Sequence, residues 1–242
     1  MPIKWRRTER TTGFPTSSNR ASSMHLWWDP PPVPTTEVSV VLEVLEPPTV
    51  AHLYFWALQV SFVDDAGRRV GGAHLGLQWY DLHPGSTAVN WGGYRDGASL
   101  RGSNATSREL DGEESALPSA TKNRNTRDFA WRPRTPYRLR VTGDGDGWWR
   151  GDVTDLTTDE TTVVRRLHGG GTLLADPVVW SEVFARCDDP TVTVRWSEPQ
   201  PPWRAVRPTY QSYADGGCTN TRSEPDGDTG AWVQRTSYTR TG

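Results

Sequence analysis

The 242-residue chain is predicted to be all-β, an antiparallel sandwich or jelly roll with irregular termini. Three observations predict this. Apolar and polar residues alternate with period two in many short segments, which is the pattern of half-buried strands. No segment sustains a helical period. Gly, Asp, Asn and Pro cluster between the alternating segments, where they supply turns.

The strand pattern begins at "TEVSVVLEVLEPP" and recurs in "AHLYFWALQVSFV", "GGAHLGLQWY", "TAVNWGGY", "YRLRVTG", "WWRGDVTDL", "TTVVRRL", "PVVWSEVFARC" and "PTVTVRWSEP". "DDAGRR" and "HPGS" read as turns, and "TGDGDG" reads as a hairpin loop between two strands. The "DGDGWW" run lacks the third oxygen ligand and the distal Glu of a calcium loop, so it is read as part of that hairpin. Residues 101–128 form a polar insertion without alternation, a long surface loop containing the glycosylation-type sequence "SNAT".

Domain organisation follows from the same pattern. Residues 1–36 are polar and then Pro-rich, and are expected to be a flexible arm; residues 37–198 form the β-sandwich; residues 199–242 are an irregular segment packed on it. Hydrophobic residues make up 34% and mean hydropathy is −0.68, so part of the length is expected to lie outside the core. The 13 Trp outnumber the 5 Phe and 2 Met, so large rings with an N–H to satisfy must fill much of the interior or line a ligand surface.

A formal net charge of −2 gives no electrostatic drive toward nucleic acid or an anionic membrane, so neither is expected as a partner. No apolar run reaches the roughly 18 residues of a membrane-spanning helix, and the chain is expected to be soluble. Arg6 and Arg7 are not followed by an apolar stretch, so the start does not read as a secretory signal; Met24 is an alternative start. Cys187 and Cys218, 31 residues apart, are expected to form a disulfide that would place the protein outside the cell, against the alternative of two free thiols that the missing signal favours. No His pair has metal-ligand spacing, and no phosphate loop, dinucleotide fingerprint or serine-nucleophile motif occurs, so neither metal nor cofactor is expected.

The runs "LYFWALQVSFVDDAGRRVGGAHLGLQW", "FAWRPRTPYRLRV", "GWWRGDVTDL" and "VVWSEVFARC" together resemble an uncharacterised bacterial domain family of concanavalin-A-like jelly-roll appearance, over about residues 38–198. The resemblance implies the fold. It brings no catalytic signature, and sandwiches of this kind host binding modules, enzymes and structural domains alike.

Alternation splits the strands into two faces. Tyr54, Trp56, Leu58, Val60 and Phe62 form a core face, as do Leu75, Leu77 and Trp79, and Val89 with Trp91. If the strands are neighbours, Gln59, His74, Gln78, Asn90 and Tyr94 share the opposite face above Gly76 and Gly92. Amides beside a ring and small residues suit the hydroxyls and apolar faces of a sugar, although half-buried sheets also carry such residues with no ligand. In "PVVWSEVFARC", Trp180, Glu182 and Phe184 share a face, and the carboxylate there either pairs with Arg138 or Arg140 or lines a wet groove. "ELDGEE" places Glu109, Asp111 and Glu113 at the alternate spacing of glycan-cleaving jelly rolls, but in a charged loop rather than an apolar strand. The leading expectation is a non-catalytic carbohydrate-binding module that grips a poly- or oligosaccharide through Gln59, His74, Gln78, Asn90, Tyr94, Trp180 and Glu182. A glycan-cleaving enzyme and a structural domain that binds a protein partner are the alternatives.

Overall fold

The computed structural model describes residues 9–29, 33–95, 108–201, 204–209 and 216–238, with side chains described at all of these except 29 and 204–209. The strands are β1 (Ser22–Asp29), β2 (Glu37–Glu46), β3 (Tyr54–Val63), β4 (Arg69–Trp79), β5 (Thr87–Arg95), β6 (Asp111–Gly112), β7 (Thr126–Asp128) and β8 (Pro136–Gly143). They continue with β9 (Trp148–Asp155), β10 (Glu160–His168), β11 (Leu173–Val183), β12 (Thr193–Gln200), β13 (Arg204–Thr209), β14 (Arg222–Pro225) and β15 (Trp232–Arg235). Two antiparallel sheets form: a seven-stranded one in the order β13-β1-β11-β3-β4-β5-β7, and an eight-stranded one in the order β14-β15-β12-β2-β8-β9-β10-β6. The protein is an all-β, jelly-roll-like sandwich.

The core follows from the alternation. Trp56, Trp91, Trp149 and Trp196 are each at most 2% exposed, alongside Leu42, Leu58, Leu75, Leu77, Leu139 and Phe62. Most of the tryptophans whose side chains are described therefore act as filler between the sheets. Gly151 of β9 is required by this packing, because a Cβ there would sit 2.8 Å from the Trp91 ring. Gly151→Ala is accordingly expected to destabilise the protein by about 1–3 kcal/mol through overpacking, seen as a lower urea midpoint at unchanged slope. The outer face of the eight-stranded sheet is charged: Arg140 and Arg150 both bind the buried Asp152, Arg195 binds Glu43, and Arg138 binds Glu198.

Between β8 and β9 the hairpin loop carries Gly145, Asp146 and Gly147 at positive φ of 81°, 49° and 74°. This left-handed backbone is what an Asp-Gly repeat tolerates, and Asp144 N–H closes the loop on Trp148 O at 2.8 Å.

The structure corrects both terminal expectations. Inside the stretch read as a flexible arm, β1 pairs with β11 and β13 and sends Met24, Leu26 and Trp28 into the core. Its eight residues alternate correctly, but the Pro-rich run directly after them obscures the pattern. The C-terminal segment is not irregular either: β15 pairs with β12 and β14 with β15. Gln234 of β15 is 1% exposed; its side-chain oxygen accepts from Trp196 Nε1 at 3.0 Å and Ser181 Oγ at 2.5 Å, and its nitrogen donates to Met24 O at 3.2 Å. One side chain thus ties the two sheets together. Cys187 and Cys218 form a disulfide. "SNAT" lies outside the described residues.

Candidate functional site

Cross-strand register assembles the outer face of the seven-stranded sheet, because directly opposed residues share a face. One row runs Ser23, Glu182, Phe55, Gln78, Ala88 and Asp128 across β1, β11, β3, β4, β5 and β7. The next runs His25, Trp180, Ala57, Gly76, Asn90 and Thr126, and a third runs Trp27, Val178, Gln59, His74 and Gly92. Gln59, His74, Gln78, Asn90, Trp180 and Glu182 therefore fall on one face over three adjacent rows. Tyr94 opposes Gly72 three rows from Gln78, about 20 Å along the strands at ~3.4 Å per residue, so it is not beside Glu182.

The centre of this face is aromatic. Phe55, Ala57, Val178 and Trp180 form a small apolar cluster of their own, with Trp27 packed against it. The Phe55 ring meets Trp180 edge-on at 4.9 Å and His74 at 5.4 Å, and His25 stacks on Trp180 at 6.1 Å. Gly92 admits the buried Asn125 side chain, from which a Cβ would lie 2.6 Å, and a Cβ at Gly76 would lie 2.0 Å from Trp56 O.

Glu182 lies beside this cluster. Burial pushes its carboxyl up to about 7, against a smaller downward pull from its hydrogen bond with Asn19, whose Nδ2 donates to Oε1 at 2.7 Å. The expected ion pair with Arg138 or Arg140 does not form, because both arginines belong to β8 of the other sheet and pair there with Glu198 and Asp152. Burial lowers both the His25 and His74 imidazoles to about 4. At neutral pH the face thus carries neutral rings, amides and a half-protonated acid.

The histidines carry a prediction. Their native pKa values of about 4 lie below the unfolded value of about 6.5, so as pH falls from 6.5 the unfolded chain takes up protons first. Stability present above pH 6.5 is lost between pH 6.5 and 4, by up to about 3 kcal/mol per imidazole. In urea titrations at pH 7, 5.5 and 4, His74→Gln is expected to flatten this loss; an unchanged slope would refute the assignment.

Several amides are already engaged within the sheet. Gln59 Oε1 accepts from Trp180 Nε1 at 3.2 Å, and Asn90 Nδ2 donates to Thr126 Oγ1 at 2.9 Å. Gln78 and Asn90 are 7% and 4% exposed. Of the "ELDGEE" carboxylates, Asp111 pairs with Arg95 at 2.9 Å and Glu113 with Arg166 at 2.7 Å, so they are charges of a surface segment. Sequence reasoning missed Asn19, His25 and Trp27 as parts of this face. For His25 and Trp27 the signal existed in the alternation of "SSMHLWWD"; for Asn19, in a turn before β1, there was none.

No family model matches the chain, and no curated protein matches it. Solved structures with a similar fold include scytalido-glutamic peptidase bound to a transition-state analogue inhibitor, at 10% identity, a TM-score of 0.43 and coverage of 93% of this chain and 98% of that one. SCP-B, a member of the eqolisin family of peptidases in complex with the tripeptide Ala-Ile-His, matches at 9% identity, a TM-score of 0.39 and the same coverage. Tailspike protein 2 of an Escherichia coli O157:H7 bacteriophage matches at 12% identity and a TM-score of 0.33, over 79% of this chain and 26% of that one. Two expectations are corrected here, that of a non-catalytic carbohydrate-binding module and that of a chain more apt to be no enzyme. The Gln59 and Asn90 amides assigned to sugar hydroxyls are spent on neighbouring side chains.

Proposed function

We propose that the outer face of the seven-stranded sheet is a hydrolytic site for amide bonds, with Glu182 as its acid–base group. The observation that supports this most is a carboxyl on an aromatic face, raised to about 7 by burial. A general acid–base is most effective when its pKa lies near the working pH, so that both forms are populated. As carboxylate, Glu182 takes a proton from an attacking water; as carboxylic acid, it returns that proton to the leaving nitrogen. Gln78 lies in the same row two strands away, about 10 Å between backbones, with Phe55 on the strand between them. In this reading its amide N–H donates to the oxyanion that develops on the scissile carbonyl.

Glycosidic bonds fit this arrangement less well. Glycan cleavage generally uses two carboxyl groups about 5–9.5 Å apart. Among the described residues of this row the other carboxylate is Asp128, four strands from Glu182 and so about 19 Å between backbones. The Cys187–Cys218 disulfide supports an oxidising, extracytoplasmic location.

The test is incubation of the full chain with a proteome-derived peptide library from pH 4 to 8, with cleavage read by mass spectrometry. Cleavage is expected, and Gln78→Ala is expected to slow it about a hundredfold, the scale for loss of one oxyanion donor. An intact library after incubation with the folded protein would overturn the reading.

A further inference from the structure

We propose that Asn19 is a positioning residue for Glu182, an amide fixed in one orientation that holds the carboxyl in place and favours its ionised form. The inference rests on the hydrolytic reading only for what the carboxyl is used to do. Its ground is the geometry of the turn before β1.

Asn19 Oδ1 lies 3.1 Å from Ala21 N and 3.0 Å from Ser17 Oγ. A backbone N–H can only donate, so the oxygen end of the Asn19 amide must face Ala21 and the NH2 end must face Glu182. The amide cannot flip without breaking these contacts. The Ser17 hydroxyl also lies 2.6 Å from Ala21 O, and Arg20 N–H donates to Ser17 O at 2.9 Å, which closes the turn. Arg20 sits at φ 61°, a left-handed conformation that lets the chain reverse into β1.

The turn is held by the segments that carry the disulfide. Thr16 N–H donates to Gly216 O at 2.7 Å, Arg10 N–H to Thr219 Oγ1 at 2.9 Å, and Cys187 N–H to Gly13 O at 2.8 Å. Cys218 N–H donates to Ser22 Oγ at 3.1 Å, two residues before Met24 enters the core. Both cysteines thus bond directly to the N-terminal segment, and residues remote in sequence clamp Asn19 over β11.

An N–H donor to a carboxylate is stronger than one to a carboxylic acid, so Asn19 stabilises the ionised form. Without it, burial acts on Glu182 unopposed. The experiment is a titration of the Glu182 carboxyl by carbon-13 NMR in the full chain, assigned with Glu182→Gln, without substrate. Asn19→Ala is expected to raise the Glu182 pKa by about one unit, a tenfold gain in proton affinity, with circular dichroism unchanged. The rising limb of the pH–rate profile is expected to move the same way.

Ser17→Ala, which keeps the amide but removes one of its restraints, is expected to shift the titration less and in the same direction, and it carries the test if Asn19→Ala does not fold. A Glu182 titration coincident with that of the parent in the folded variant would overturn the proposal. Absence of peptide cleavage would overturn the hydrolytic reading alone, because the titration needs no substrate.

Discussion

Glu182→Gln is expected to slow peptide cleavage by about a hundred- to ten-thousand-fold, the range for loss of a general acid–base, while leaving the sandwich folded. The amide is nearly isosteric with the acid and can still meet Asn19, but it can neither accept water's proton nor return one. The same variant has a stability signature of known sign. The native carboxyl titrates at about 7 and the unfolded one at about 4.5, so between these values the native state holds the proton and the unfolded chain has released it. Parent stability relative to the variant is therefore expected to fall as pH rises from 4.5 to 7, by up to about 3 kcal/mol, and to level off above. The direction opposes that of His25 and His74, so the difference between parent and variant, not either curve alone, reports Glu182. A parent–variant difference that stays flat across this window would show that the carboxyl is not buried as described.

Replacing Cys187 and Cys218 together by Ser is expected to cost about 3–4 kcal/mol, the loop-closure entropy for a separation of 31 residues, read as a lower urea midpoint. The loss falls on a defined place. The clamped segments contribute few apolar residues, and their order rests on backbone bonds such as those from Thr16 to Gly216 and from Cys187 to Gly13. Amide hydrogen exchange in the double variant is expected to accelerate at Thr16 and Cys187 well before the core strands β3 and β4. Uniform acceleration across the chain would show instead that the disulfide acts on global stability alone.

Alternation along each strand was enough to separate inward Trp56, Leu58 and Val60 from outward Phe55, Ala57 and Gln59, and it put Gln78 on that outward face and Glu182, 104 residues further along the chain, on one face with Trp180. That legibility has a simple cause: a strand's side chains alternate whatever its neighbours are. Which strands became neighbours was not legible. Register put Glu182 level with Gln78 but Tyr94 three rows away from it, and it sent Arg138 and Arg140 to the other sheet. β1 escaped notice because eight alternating residues before a proline run form too short a pattern to stand out.

The character of the face was also settled in three dimensions. Gln, Asn and Glu read as hydrophilic in sequence, yet packing buries Gln78 and Asn90, pairs Gln59 with Trp180 and sets Glu182 opposite Phe55. A carboxyl's proton affinity depends on the water removed around it and the donors brought to it, and here the donor Asn19 lies 163 positions away and the opposing Phe55 lies 127 away in sequence. Local composition sets each strand's faces through a two-residue period, whereas the acid at the centre of the site is made by contacts between distant segments, whose pairing no local pattern encodes.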